Sequence, residues 1–174
     1  MINLRPHPAI LWAILTILAC AWMLHSCEPA RAEVSEVVLQ TIAMESADQP
    51  FEGQVAVAQV ILNRARRANI SPESVVLRPK QFSCWNSPKW ARRWLGAHYT
   101  PKARRGALNA YRKAMLVDMT NTSSGLTKNY NGVTMYHTVD CKPKWDFSKL
   151  ERLGQIGAHI FYRERNYRDW FNKG

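Results

Sequence analysis

Glu45 is the residue whose place in the sequence most suggests chemistry. Upstream of it, Val34, Val37, Val38, Thr41 and Ile42 recur at the spacing of one helix face, and Glu45 is the next position on that face. A carboxylate aimed at the core side is desolvated, which disfavours its charged form and raises its pKa above the reference of about 4.3. Such a group can act as a general acid near neutral pH. The competing reading is that Asp48, Gln49 and Pro50 end the helix within a turn and leave Glu45 in solvent. Spacing alone leaves both open, because structural networks perturb carboxylates too.

Other chemistries find little in the sequence. After the leader the histidines are His98, His137 and His159, with no H-E-x-x-H and no close Cys/His cluster, so zinc-ligand spacing is missing. Lone histidines of this kind are usually hydrogen-bonded structural residues. No G-x-S-x-G elbow, P-loop or dinucleotide fingerprint occurs, and neither metal nor cofactor is expected. Glycoside cleavage commonly pairs two carboxylates, and Glu52, Glu73, Asp140, Asp146 and Glu151 are candidate partners, none on an apolar stripe as Glu45 is. One carboxylate suffices when a substrate hydroxyl is the nucleophile. Trp85, Trp90, Trp94, Tyr99, Tyr136 and Trp145 supply flat amphipathic faces suited to sugar, although at least half are expected to pack the core.

The elements that must position these groups are mostly helices. The first runs from Val34 to about Ala47. The second follows Glu52-Gly53, is apolar nearly all round from Val55 to Leu62, and ends at Asn63-Arg64, so it belongs in the middle of the domain. Ser71-Pro72, Ser87-Pro88 and Thr100-Pro101 each read as an N-cap with proline at the first helical position, predicting helices near 74–77, 89–95 and 102–119. A polar loop, NTSSGLT, covers 121–127. Asn131-Gly132 offers a tight turn before an alternating strand or hairpin at 133–138. The segment 156–162, IGAHIFY, is apolar, and periodicity does not choose between helix and strand.

Residues 1–32 are set apart from the fold. Arg5 and an apolar run from Ala9 to Leu24 have the form of a signal peptide or short membrane anchor. Ala30-Arg31-Ala32 offers a cleavage site, Cys27 after Leu24-His25-Ser26 offers lipidation, and retention as an anchor is the third outcome. Each places residues 33–174, read as one domain, outside the cytoplasm. The chain carries 24 Lys and Arg against 13 Asp and Glu, a formal net charge of +11. Such a field favours a polyanion, and for an exported chain an anionic envelope polymer or membrane surface is a better partner than nucleic acid. Solvated helix faces are the plainer account of the same charge. Cys84 and Cys141 are the even pair left after the leader, and a disulfide between them is favoured over two free thiols. Its loop-closure value would be roughly 4 kcal/mol.

The run from Glu45 to Arg64, ESADQPFEGQVAVAQVILNR, resembles the signature of SleB/CwlJ-type cell-wall hydrolases, a family that includes spore-cortex-lytic enzymes. Gln81-Phe82-Ser83-Cys84-Trp85, Met135-Tyr136-His137 with Pro143-Lys144-Trp145, and the IGAHIFY segment agree in order. Asp48-Gln49 stands where many members carry Gly-Glu. The resemblance implies an α+β, mainly α-helical, compact domain similar to lysozyme and resuscitation-promoting factors, with a short β-hairpin, acting on peptidoglycan as a monomer. It also implies that Glu45 is the catalytic acid/base of a lytic transglycosylase. Gln81, Trp85, Tyr136 and His137 are then the substrate-groove residues. A muramidase, an amidase, or a non-catalytic basic wall-binding protein are the alternatives.

Overall fold

The computed structural model describes residues 33–120 and 132–166, of which those from Val34 onward belong to one compact unit. The leader, with Cys27, and the NTSSGLT segment lie outside the described residues.

Helix α1 spans Glu36–Ser46 and buries Val38, Leu39, Thr41, Ile42 and Ala43. Asp48, Gln49 and Pro50 stop it, because the residue before a proline is driven away from helical geometry. Pro50 in turn is the N-cap of α2, Phe51–Ala68. This helix runs past the end expected at Asn63-Arg64 and closes at Asn69, whose left-handed backbone (φ 50°) ends it as a glycine would. The amides of Asn69 and Ile70 satisfy the Arg66 and Ala65 carbonyls, and Arg66 and Arg67 sit favourably in the last turn.

The all-round apolarity of α2 has a direct cause. Val55, Ala58, Ile61 and Ala65 face a cluster shared with α1 and later helices, while Ala56, Val57 and Val60 pack against Val133 and Phe161 on the sheet side. A helix with a hydrophobic layer on both sides has no water-facing stripe to spare.

The three Ser/Thr-Pro signals act as expected. Ser71 Oγ accepts from the Ser74 amide ahead of α3, Pro72–Val76. Ser87 Oγ accepts from the Trp90 amide ahead of α4, Pro88–His98. Thr100 Oγ1 accepts from the Ala103 amide ahead of α5, Pro101–Thr120. Buried Ala107, Ala110 and Ala114 supply the small side chains with which α5 meets α1 and α2.

The remaining described chain forms a small antiparallel sheet in the order β1-β3-β2, from β1 (Met135–Thr138), β2 (Leu150–Ile156) and β3 (His159–Glu164). IGAHIFY is therefore the end of β2, a tight turn and most of β3. Gly157 makes the turn with φ 56°. Its hydrogen faces the α1–α2 connection so closely that a Cβ there would overlap Gln49 Oε1 and come within 2.9 Å of Pro50 Cδ. The adjacent Ala158 amide donates to Gln49 Oε1 at 2.8 Å, pinning the hairpin to the helices. Tyr136 pairs with Phe161 and Thr138 with His159, so this register puts Tyr136, His159 and Phe161 on one face of the sheet. Across these elements the domain is mainly helical with a small sheet.

The favoured disulfide is not formed. Cys84 and Cys141 are both free thiols. Cys84 sits in the 3-10 turn Ser83–Trp85 and packs into the helical core, whereas Cys141 is exposed after β1. Burial, followed by the nearby charge of Glu45, pushes the Cys84 thiol above its ordinary value of 9.0.

Candidate active site

Glu45 occupies the last turn of α1, where the helix meets the sheet, and is half-buried. Its Oε1 accepts from the Cys84 amide at 3.0 Å and the Ser83 hydroxyl at 3.3 Å. Its Oε2 accepts from the Tyr136 hydroxyl at 2.8 Å. Both carboxylate oxygens are thereby oriented by groups from two other parts of the chain. Burial, then the charge of Glu45 and its hydrogen bond, hold the Tyr136 phenol well above its usual 10.0. It therefore remains a donor across the working range of any envelope enzyme.

Arg64 holds those donors in place. From α2, its Nε donates to the Thr134 carbonyl at 2.8 Å, just ahead of β1. Its Nη1 reaches the Gln81 carbonyl at 3.3 Å and the Gln81 Oε1 at 3.4 Å, and the guanidinium lies 5.3 Å from the Phe82 ring centroid. One side chain thus ties the segment carrying Ser83 and Cys84 to the strand carrying Tyr136. Burial lowers the Arg64 pKa below its ordinary value, with Tyr136, Glu45 and Glu164 pulling the other way. A planar fork suits this task as a lysine would not.

Glu45 opens onto a groove of about 840 Å³ whose walls include Arg67, Arg78, Lys80, Gln81, His137 and Trp145. A second recess of about 490 Å³ adjoins it, lined by Met44, Asp48, Gln49 and Trp90 among others. Glu45, Ser83, Asn86, Thr138 and His159 border both, so the carboxylate stands where the two meet. The main groove has a basic lip, and the recess has an acidic side chain in Asp48.

The expected groove residues have divergent placements. Gln81 is exposed on the wall and bonded to Arg64. Tyr136 borders the groove, and its hydroxyl is committed to Glu45. His137 stacks on Tyr162 with rings 5.4 Å apart and 17° between planes, its Nε2 3.1 Å from the Tyr162 hydroxyl. Trp145 meets it edge-on at 5.5 Å. Trp85 is turned inward instead: its Nε1 donates to Thr41 Oγ1 at 2.9 Å and its ring packs on the helical core. Trp94, Tyr99 and Tyr136 also pack against that core, leaving Trp90, 46% exposed, and Trp145 as the tryptophans at the recesses.

The candidate second carboxylates Glu52, Glu73, Asp140, Asp146 and Glu151 border neither recess. Asp146 caps the turn at Ser148, and Glu151 pairs with Arg163 at 2.8 Å. Sequence reasoning did not single out Ser83, Arg64 or His159. An arginine directly after an apolar helix and a histidine inside an apolar strand were the available signals. Among the described residues, no cluster of three or more His, Cys, Asp or Glu side chains could hold a metal ion.

An oriented carboxylate thus stands at the junction of two recesses whose walls carry aromatic and basic side chains. A family model described as Cell Wall Hydrolase matches residues 48–162, and the chain belongs to that family. It is accordingly an enzyme acting on peptidoglycan, at an extracellular or envelope location. Glu45 lies just upstream of the matched segment, whereas Gln81, Tyr136, His137 and His159 fall within it. The chain is also similar to the crystal structure of the catalytic domain of the Bacillus cereus SleB protein, at 24% identity over 75% of this chain and 92% of that one, with a TM-score of 0.48. No curated protein matches it. Among the described residues, no helix is long and apolar enough to cross a membrane.

Proposed function

We propose that the protein cleaves the bond between N-acetylmuramic acid and N-acetylglucosamine as a lytic transglycosylase, with Glu45 as acid and then base. The carrying observation is the half-buried Glu45 carboxylate, both oxygens oriented, at the meeting point of two recesses. A glycan strand lying across that junction presents its scissile oxygen to Glu45. The protonated carboxyl gives its proton to that oxygen as the C1–O bond breaks. The resulting carboxylate takes the proton of the muramic acid C6 hydroxyl as its oxygen bonds to C1, leaving a 1,6-anhydro end and restoring the acid. No second carboxylate is required. Arg78 and Lys80 on the lip suit the acidic groups of the polymer, while Arg67 is paired with Glu164.

One observation favours a second reading: exposed Asp48 borders the recess next to Glu45 and could activate water, which would make the enzyme a muramidase. Mass spectrometry of digested sacculi separates the outcomes. Anhydro-muropeptides report transglycosylation, reducing ends hydrolysis, and free stem peptides an amidase. Glu45→Gln keeps the shape and removes the acid, and lysis should fall at least a hundredfold, on the order of the loss of a general acid. Undiminished lysis by that variant would remove Glu45 from the mechanism.

A further inference from the structure

His159, at the start of β3, is 4% exposed and yet borders both recesses. Its ring lies 4.9 Å from Tyr136, the residue that holds Glu45, and edge-on to Phe161 at 6.0 Å. Its Nδ1 is sealed from solvent with no hydrogen-bond partner. Buried polar atoms are nearly always paired, and an unpaired one decides which ring nitrogen can carry the proton.

Burial lowers this imidazole from its ordinary 6.5, while Asp48 and Glu45 pull it upward. These two carboxyls, with the Tyr136 hydroxyl, are the titratable groups around it. The ring is neutral at the pH of most cell envelopes and carries one proton. A sealed N–H without an acceptor is the rarer and costlier orphan, so the hydrogen-bond balance assigns the proton to Nε2. Nε2, unlike Nδ1, is not sealed without a partner, and the residue borders both recesses.

We propose that His159 is a substrate-contacting residue whose Nε2–H donates a hydrogen bond to a glycan oxygen, a hydroxyl or an acetamido carbonyl, on a sugar next to the bond that Glu45 cleaves. The role rests on the reading of Glu45 given above. His159 carries no proton to or from the reaction. It fixes the sugar at the junction, and the aromatic wall behind it keeps the ring from turning away.

The test uses Glu45→Gln as a non-cleaving background and a tetrasaccharide of alternating N-acetylglucosamine and N-acetylmuramic acid as probe. Adding His159→Phe, which keeps the ring volume and removes the donor, should weaken binding roughly tenfold, as for one hydrogen bond to substrate. Adding His159→Gln, whose amide nitrogen can stand near the Nε2 position, should recover most of that loss. In the otherwise unchanged enzyme, His159→Phe should raise KM more than it lowers kcat. Unaltered tetrasaccharide affinity in the phenylalanine variant, or no recovery with glutamine, overturns the proposal. Should the phenylalanine variant not fold, the imidazole nitrogen resonances of His159 in Glu45→Gln decide it. An Nε2–H tautomer whose Nε2 signal moves on adding tetrasaccharide supports the contact, and an Nδ1–H tautomer or an unmoved signal refutes it. Lysis by Glu45→Gln itself would instead refute the Glu45 reading, so the two failures are distinguishable.

Discussion

Tyr136→Phe isolates one of the groups that orient Glu45. The ring, and with it the contacts to His159 at 4.9 Å and Phe161 at 5.7 Å, is retained, while the hydroxyl that donates to Glu45 Oε2 at 2.8 Å is removed. A hydrogen bond to a charged acceptor is worth about 1.5–3 kcal/mol. Glu45 keeps its donors from Ser83 and Cys84 on the other oxygen, and its half exposure lets water replace the lost partner. Stability should therefore change little. If the orientation matters mainly in the transition state, the same energy appears in kcat, a fall of roughly 10- to 100-fold with KM nearly constant. Turbidity loss of purified sacculi at several substrate concentrations gives both constants, and a thermal melt checks the fold. A variant with wild-type kcat and an intact melt would mean that the Tyr136 hydroxyl does not serve the reaction. A melt lowered by many degrees would mean that its role is chiefly structural.

Three further outcomes follow from the same geometry. Gly157→Ala places a Cβ against Gln49 and Pro50 in a left-handed turn, and should cost about 1–3 kcal/mol, seen as a lower denaturant midpoint; an unchanged midpoint would show that the hairpin is not pinned there. Because the folded-state pKa of His159 is lowered below 6.5, its contribution to stability is complete above that value and is lost as pH falls through the window beneath it. Melting temperatures at pH 7.5 and pH 5 should differ more for the parent than for His159→Gln, and equal differences would contradict the burial argument. Finally, the exposed Cys141 should react with a thiol reagent in the native protein and the buried Cys84 only on unfolding, with no change on adding reductant; a single mass for bridged, unreactive protein would reverse the assignment.

Local signals were the legible ones. The Ser/Thr-Pro caps place the starts of three helices because cap and first turn lie within four residues of each other. The apolar α2 announces its central position because it has no stripe left for water. Glu45 was reached by periodicity, yet its surroundings were not: the spacing points it to the core side, whereas it stands half-buried at a seam, bonded to groups from the Ser83–Trp85 turn and β1. Trp85 illustrates the limit, since a tryptophan in a family-like motif gives no sign that its indole nitrogen has found Thr41. The cysteine pairing failed for a similar reason, because even numbers carry no information on which thiol faces inward. IGAHIFY was ambiguous because a strand, a turn on Gly157 and a second strand share a stretch too short for either period to repeat. His159 was invisible as a functional residue because its place at both recesses is made by the fold and not by its neighbours in sequence.

Glu45 and the hydroxyl that orients it are 91 residues apart, and the guanidinium that braces the two walls comes from a third element. No short stretch of this chain contains the oriented carboxylate. A chain whose sheet has come away from its helices carries the glutamate without its Tyr136 donor. The oriented state of Glu45 therefore exists only where the helices and the sheet are docked together. For an enzyme that acts on a load-bearing polymer, contacts of this range tie the site to the finished fold.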